Sequence, residues 1–101
     1  MVSYTQELTP GEDEVYIEIT KDKNEITDFK VVYYTLEDGR TVEIVRYDCR
    51  HGFAHKDILC GKKLQKEKMP DLPYKELFNL ALHDIKNNWR NYKIQHRRLK
   101  K

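Results

Sequence analysis

Arg46, Asp48, His51, His55 and Asp57 fall within twelve consecutive positions around Gly52. These are residue types that move protons and hold phosphate. Histidine titrates near neutral pH and serves as general acid or base. An aspartate beside it fixes and polarises the ring. Arginine meets a phosphate through its planar fork. Two imidazoles, two carboxylates and a guanidinium fit metal-free RNA cleavage, in which one group takes the 2′-hydroxyl proton and another protonates the leaving oxygen. The same residues also fit a purely architectural clasp, because buried polar groups need partners whatever their function.

Metal binding is the competing chemistry. Cys49, His51, His55 and Cys60 read C-x-H-x3-H-x4-C, and thiolate and imidazole suit zinc. The spacing matches no zinc signature, and strand alternation puts Cys49 and His55 on different faces. Asp48, His51, His55 and Asp57 offer oxygen and nitrogen ligands to a divalent metal. None of these residues is expected to form a metal set. Neither a G-x-G-x-x-G nor a Walker pattern occurs, so no cofactor is expected. Cys49 reads equally well as a small core residue.

A hairpin is the element that brings the cluster together. Thr41 to Cys49 alternates as a strand, and Ala54 to Cys60 can do the same. A four-residue loop, Arg50 to Phe53, contains Gly52, which tolerates positive φ. Counting outward, Asp48 faces His55 and Arg46 faces Asp57, all four on one side of the sheet. Val42 and Ile44 fall on that same side by alternation, which sets Arg46 and Asp48 at the margin of an apolar face.

The remaining elements follow from period and punctuation. Residues 1–13 are polar, with Pro10-Gly11 as a breaker, and are expected to form a loose arm. Glu14 to Lys21 and Ile26 to Leu36 alternate or carry β-branched and aromatic residues. Asp38-Gly39 is a hairpin signal. Lys63 to Lys68 suits an exposed edge strand. From Pro73 the period becomes helical, with Leu77, Ala81, Ile85 and Trp89 at i+4 spacing. A helix over 73–97 is about 37 Å long at ~1.5 Å per residue. Eight-residue strands span about 26 Å at ~3.3 Å per residue, so the last turns are expected to overhang. The fold expected is a single α+β domain over residues 1–101: an antiparallel meander of four to five strands across 14–68, with one long C-terminal helix on one face and a basic tail.

Composition bounds the function classes. The chain has 101 residues, 36% charged and 39% hydrophobic, enough for one modest core. No apolar run approaches the roughly 18 residues of a membrane span, and no signal-peptide pattern opens the chain. The expectation is a cytoplasmic protein with no membrane partner. Two cysteines do not make a disulfide framework. Charge is asymmetric. Residues 1–20 hold five acids and no base, whereas residues 84–101 hold seven bases and one acid. Arg90, Lys93, Arg97, Arg98, Lys100 and Lys101 are therefore candidate nucleic-acid contacts. The plainer alternative is a solvated helix end whose cations complement the helix dipole.

Arg46-Tyr47-Asp48, His51-Gly52 and His55-x-Asp57, followed by Asp84-Ile85-Lys86-Asn87-Asn88-Trp89, resemble a family of small uncharacterised archaeal and bacterial domains with the pattern RYD-x-x-HG-x-x-H-x-D. The likeness runs over residues 30–92. More distantly, the RYD strand and downstream histidines resemble the TumE-type toxins of toxin–antitoxin modules, which are linked to RNA. Those chains continue RYDN with an H-x-H segment, where this chain has Cys49 and Asp57. The resemblance implies a toxin-like, RNA-directed protein with RNA and an antitoxin protein as partners. A metal-independent ribonuclease using Arg46, Asp48, His51, His55 and Asp57 is the leading reading. The alternative is a non-enzymatic binding module whose basic helix end engages nucleic acid or an acidic protein.

Overall fold

A computed structural model describes residues 1–49, 53–60 and 63–99. Six strands and one helix follow in order: β1 (Val2–Thr9), β2 (Asp13–Asp22), β3 (Glu25–Glu37), β4 (Arg40–Asp48), β5 (His55–Cys60), β6 (Lys63–Lys68) and α1 (Tyr74–Leu99). The strands form one antiparallel meander in sequence order, with α1 laid across one face. Two-residue turns set the β2–β3 and β3–β4 hairpins. Lys23-Asn24 and Asp38-Gly39 all have positive φ, and the pairs Asp22–Glu25 and Glu37–Arg40 close them. Such turns match the twist of the strands they join. No helix among the described residues is long and apolar enough to cross a membrane.

The expected loose arm is a strand. β1 pairs with β2 from Val2–Ile19 to Thr9–Asp13. Pro10-Gly11 forms the connecting turn, with Gly11 at φ 72°. Most of β1 is exposed; backbone pairing, which leaves no apolar signature in the sequence, holds it in place together with Leu8, which packs against the core.

The core lies between α1 and the sheet. Val15, Ile17, Phe29, Val31, Tyr33, Val45 and Tyr47 meet Leu77, Phe78, Ala81, Ile85 and Trp89. Edge-to-face contacts join Phe29 to Phe78 and Tyr33 to Trp89, a geometry favoured by the ring quadrupoles. The apolar stripe expected on the helix is the buried one. Its end does not overhang as expected, because β3 runs for thirteen residues. At ~3.3 Å per residue that is about 43 Å, longer than the helix. His96, in the helix's last turn, is accordingly buried against Glu37 at the end of β3.

A bulge corrects the facing of β4. Tyr33 pairs with Val45 and Tyr34 with Glu43, leaving Ile44 as the extra residue. Ile44 and its neighbour Val45 both enter the core. The simple alternation that grouped Val42 and Ile44 with Arg46 and Asp48 is broken there. Tyr47 faces the helix, so Arg46 and Asp48 lie on the face away from it rather than at the core margin.

Candidate functional site

The β4–β5 hairpin pairs Asp48 with His55 and Arg46 with Asp57, the register expected from a four-residue loop. All four side chains share the face opposite α1. His55 Nε2 lies 2.9 Å from Asp48 Oδ1 and 3.9 Å from Asp57 Oδ2. Asp48, His55 and Asp57 are only 5%, 9% and 8% exposed. Four of the five expected catalytic residues are therefore brought together; His51 lies outside the described residues.

Arg46 is turned partly aside. Its guanidinium is hydrogen-bonded to Glu43, three residues away across the bulge. That bond raises the Arg46 pKa against the opposing effect of burial, and the charges of Asp48 and Asp57 add to it. Among the described residues, Arg46 Nε, His55 Nδ1 and Asp57 Oδ1 are buried without a hydrogen-bond partner. Buried polar groups are nearly always satisfied, and three of the five such atoms found among the described residues fall in this one cluster.

The rim was not foreseen. Phe53, 44% exposed, sits with its ring 5.7 Å from that of His55. Lys68 Nζ lies 5.7 Å from the Phe53 centroid. Lys66 and Lys68 are the strand partners of Asp57 and His55 and project from the same face. Beside Asp48, a cleft of about 140 Å³ is lined by Glu18, Thr20, Asp28, Phe29, Lys30 and Cys49. Cys49 itself packs against the core, and burial pushes its thiol up to about 11. It is held as a thiol, apart from His55.

Directly behind the clasp lies a second polar cluster that the sequence reading missed. Tyr47 and Lys56 are strand partners facing α1. Asp84 accepts hydrogen bonds from the hydroxyl groups of Tyr47 and Tyr92, and from Asn88 at 2.8 Å. Lys56 Nζ donates to Tyr92 at 2.6 Å and stands 3.3 Å from the Asp84 carboxylate. Burial pushes the Asp84 carboxyl up, but these donors and the Lys56 charge together hold it below the usual range. Burial and the adjacent carboxylate push the Tyr47 hydroxyl well above its ordinary value. Asp84, Asn88 and Tyr92 recur at i+4 beside the Trp89 stripe, the one sequence signal that reports this cluster.

The basic helix end meets the chain's own acids. Lys93 Nζ lies 2.9 Å from Glu12 and 3.0 Å from Asp13, and Arg97 lies 3.4 Å from Glu12. Lys93 is only 13% exposed. Arg90 stacks over Trp89 with its guanidinium carbon 4.6 Å from the ring centroid. Arg90 and Arg98 are exposed, while Lys100 and Lys101 fall outside the described residues. The N-terminal acidic excess and the C-terminal basic excess thus compensate each other in part within one molecule.

The chain matches over residues 1–101 the family model described as Domain of unknown function (DUF7718), and belongs to that family. No curated protein and no solved structure matches it.

Proposed function

We propose that this protein is a toxin-like, RNA-directed protein that cleaves RNA without a metal at the Asp48–His55 pair. The observation that carries this reading is the buried imidazole whose Nε2 bonds Asp48 at 2.9 Å while its Nδ1 has no partner among the described residues. A carboxylate on one ring nitrogen fixes the tautomer and leaves the other nitrogen a lone pair. That lone pair accepts the 2′-hydroxyl proton as the oxygen attacks phosphorus. Nδ1 is enclosed in the free protein, so substrate entry must uncover it. A second group protonates the leaving 5′-oxygen; His51, expected from the sequence, is the candidate.

The rim supports an RNA substrate. Lys66 and Lys68 supply positive charge on the same face, and the half-exposed Phe53 ring offers a stacking surface for a base. The rival reading, a binding module acting through the helix end, loses support from Lys93, which is committed to Glu12 and Asp13.

The test is cleavage of varied RNAs by purified protein in EDTA, with a thermal melt alongside. His55→Gln is expected to lower the rate by about 10²–10⁴-fold, the usual span for a general acid or base. No cleavage by well-folded wild type, or wild-type rates surviving in both His55→Gln and His51→Gln, would refute the assignment.

A further inference from the structure

We propose that Asp48, His55 and Asp57 also form a binding site for a divalent cation of the zinc type, which closes the imidazole to acid–base work. One ligand atom from each residue lies within 4.8 Å of the others. Zinc bonds of about 2.0–2.1 Å in a tetrahedron put neighbouring ligand atoms roughly 3.3 Å apart. The separations from His55 Nε2, 2.9 Å to Asp48 and 3.9 Å to Asp57, bracket that value. The third separation, between the two carboxylates, lies within 4.8 Å, so a carboxylate swing of up to about 1.5 Å completes the set with no change in strand register.

Charge favours the same conclusion. Asp57 places a carboxylate in a region almost closed to water, where charge needs a partner. The Arg46 guanidinium adds its charge to this region but spends its hydrogen bond on Glu43. Lys66 and Lys68 lie opposite Asp57 and His55 on the exposed edge strand, where solvent screens them. An independent observation is Asp57 itself. Its Oδ2 points toward His55 Nε2, yet Oδ1 is buried with no hydrogen-bond partner among the described residues.

Imidazole nitrogen with two carboxylate oxygens suits Zn²⁺ or Mn²⁺, and is a poor set for Mg²⁺, which prefers an octahedron of oxygens and keeps its waters. Three protein ligands leave a position for water or phosphate. Metal on Nε2 displaces the proton that Nε2 shares with Asp48. The ring then carries its proton on Nδ1, and the lone pair needed for base catalysis is gone. The cation and the acid–base step therefore compete for one ring. The site itself rests on geometry alone and stands whether or not the protein cleaves RNA.

The experiment is titration of the EDTA-stripped full chain with Zn²⁺, Mn²⁺ and Mg²⁺ in the absence of RNA, by calorimetry and by NMR of the histidine rings. Expected are one Zn²⁺ per chain, movement of the His55 ring resonances, weaker Mn²⁺ and no Mg²⁺ response. His55→Gln and Asp57→Asn should each weaken Zn²⁺ by at least about 100-fold, as for loss of a ligand or its support. His83→Gln, on the exposed side of α1, should leave it unchanged. Should a variant unfold, the wild-type His55 resonance decides. No binding up to about 1 mM Zn²⁺, binding that leaves His55 unmoved, or binding that survives in both folded variants would overturn the site. A separate RNA assay with added Zn²⁺ reads the competition: cleavage in EDTA that zinc suppresses supports it, and cleavage indifferent to saturating zinc overturns it.

Discussion

Replacing Asp84 by asparagine tests how the helix is fastened behind the clasp. The substitution keeps the side chain's shape and removes its charge. It leaves Lys56, 15% exposed, without its carboxylate, and Tyr47 and Tyr92 with a weaker acceptor. Breaking one side of a buried ion pair costs about 3–5 kcal/mol. Asp84 is 23% exposed, so solvent screens part of the loss and the lower end applies, about 3 kcal/mol. For a domain of this size that lowers Tm by roughly 12–24 °C. The pH dependence supplies a signature. The folded Asp84 pKa lies below its unfolded value. Its contribution is therefore complete above about pH 4 and disappears as pH falls through the folded pKa. Urea titrations of wild type and variant should show the full gap at neutral pH and a narrowing gap below about pH 4. A loss under about 1 kcal/mol at neutral pH, or a gap unchanged down to about pH 2, would show that the cluster does not fasten the helix.

Two further outcomes test the packing. Trp89→Ala should cost about 3–5 kcal/mol, because the ring is 6% exposed and packs on Tyr33; a denaturant midpoint within about 1 kcal/mol of wild type would place it outside the core. Lys93→Met should cost about 3 kcal/mol, since it strands Asp13 at 1% exposure, whereas Arg97→Ala, at 56% exposure, should fall within about 0.5 kcal/mol of wild type. Equal effects at the two positions would mean that Asp13 is sustained by Thr9 and Tyr33 alone.

Local signals carried the fold a long way. The Asp38-Gly39 turn, the Asp48–His55 register and the Leu77–Trp89 stripe depend on neighbours in sequence or on one counted loop, and each stands where the residues placed it. What stayed hidden depends on distant partners. β1 has polar residues on both faces and reads as coil until β2 supplies its hydrogen bonds. The bulge at Ile44 has no local marker; it lets two consecutive apolar residues enter one core. Asp84 reads as a surface charge on a helical wheel and becomes a half-buried acceptor only because Tyr47 and Lys56 arrive from two strands.

The hairpin works on both faces at once. Tyr47–Lys56 and Asp48–His55 are adjacent pairs in one ladder, so they point to opposite sides of the sheet. A one-residue slip would put Asp48 and His55 under the helix and turn Tyr47 and Lys56 to solvent. The core-side cluster thus fixes the register of the open-face clasp, and architecture alone accounts for the alignment of Asp48 with His55. It does not account for His55 Nδ1 and Asp57 Oδ1. A clasp selected only for register gains nothing from burying two polar atoms unpaired, and each orphan costs about 1–3 kcal/mol. Strained or unsatisfied groups persist where binding or chemistry gives them a partner. Those two atoms, more than the composition of the cluster, are what motivate the site proposed for this hairpin.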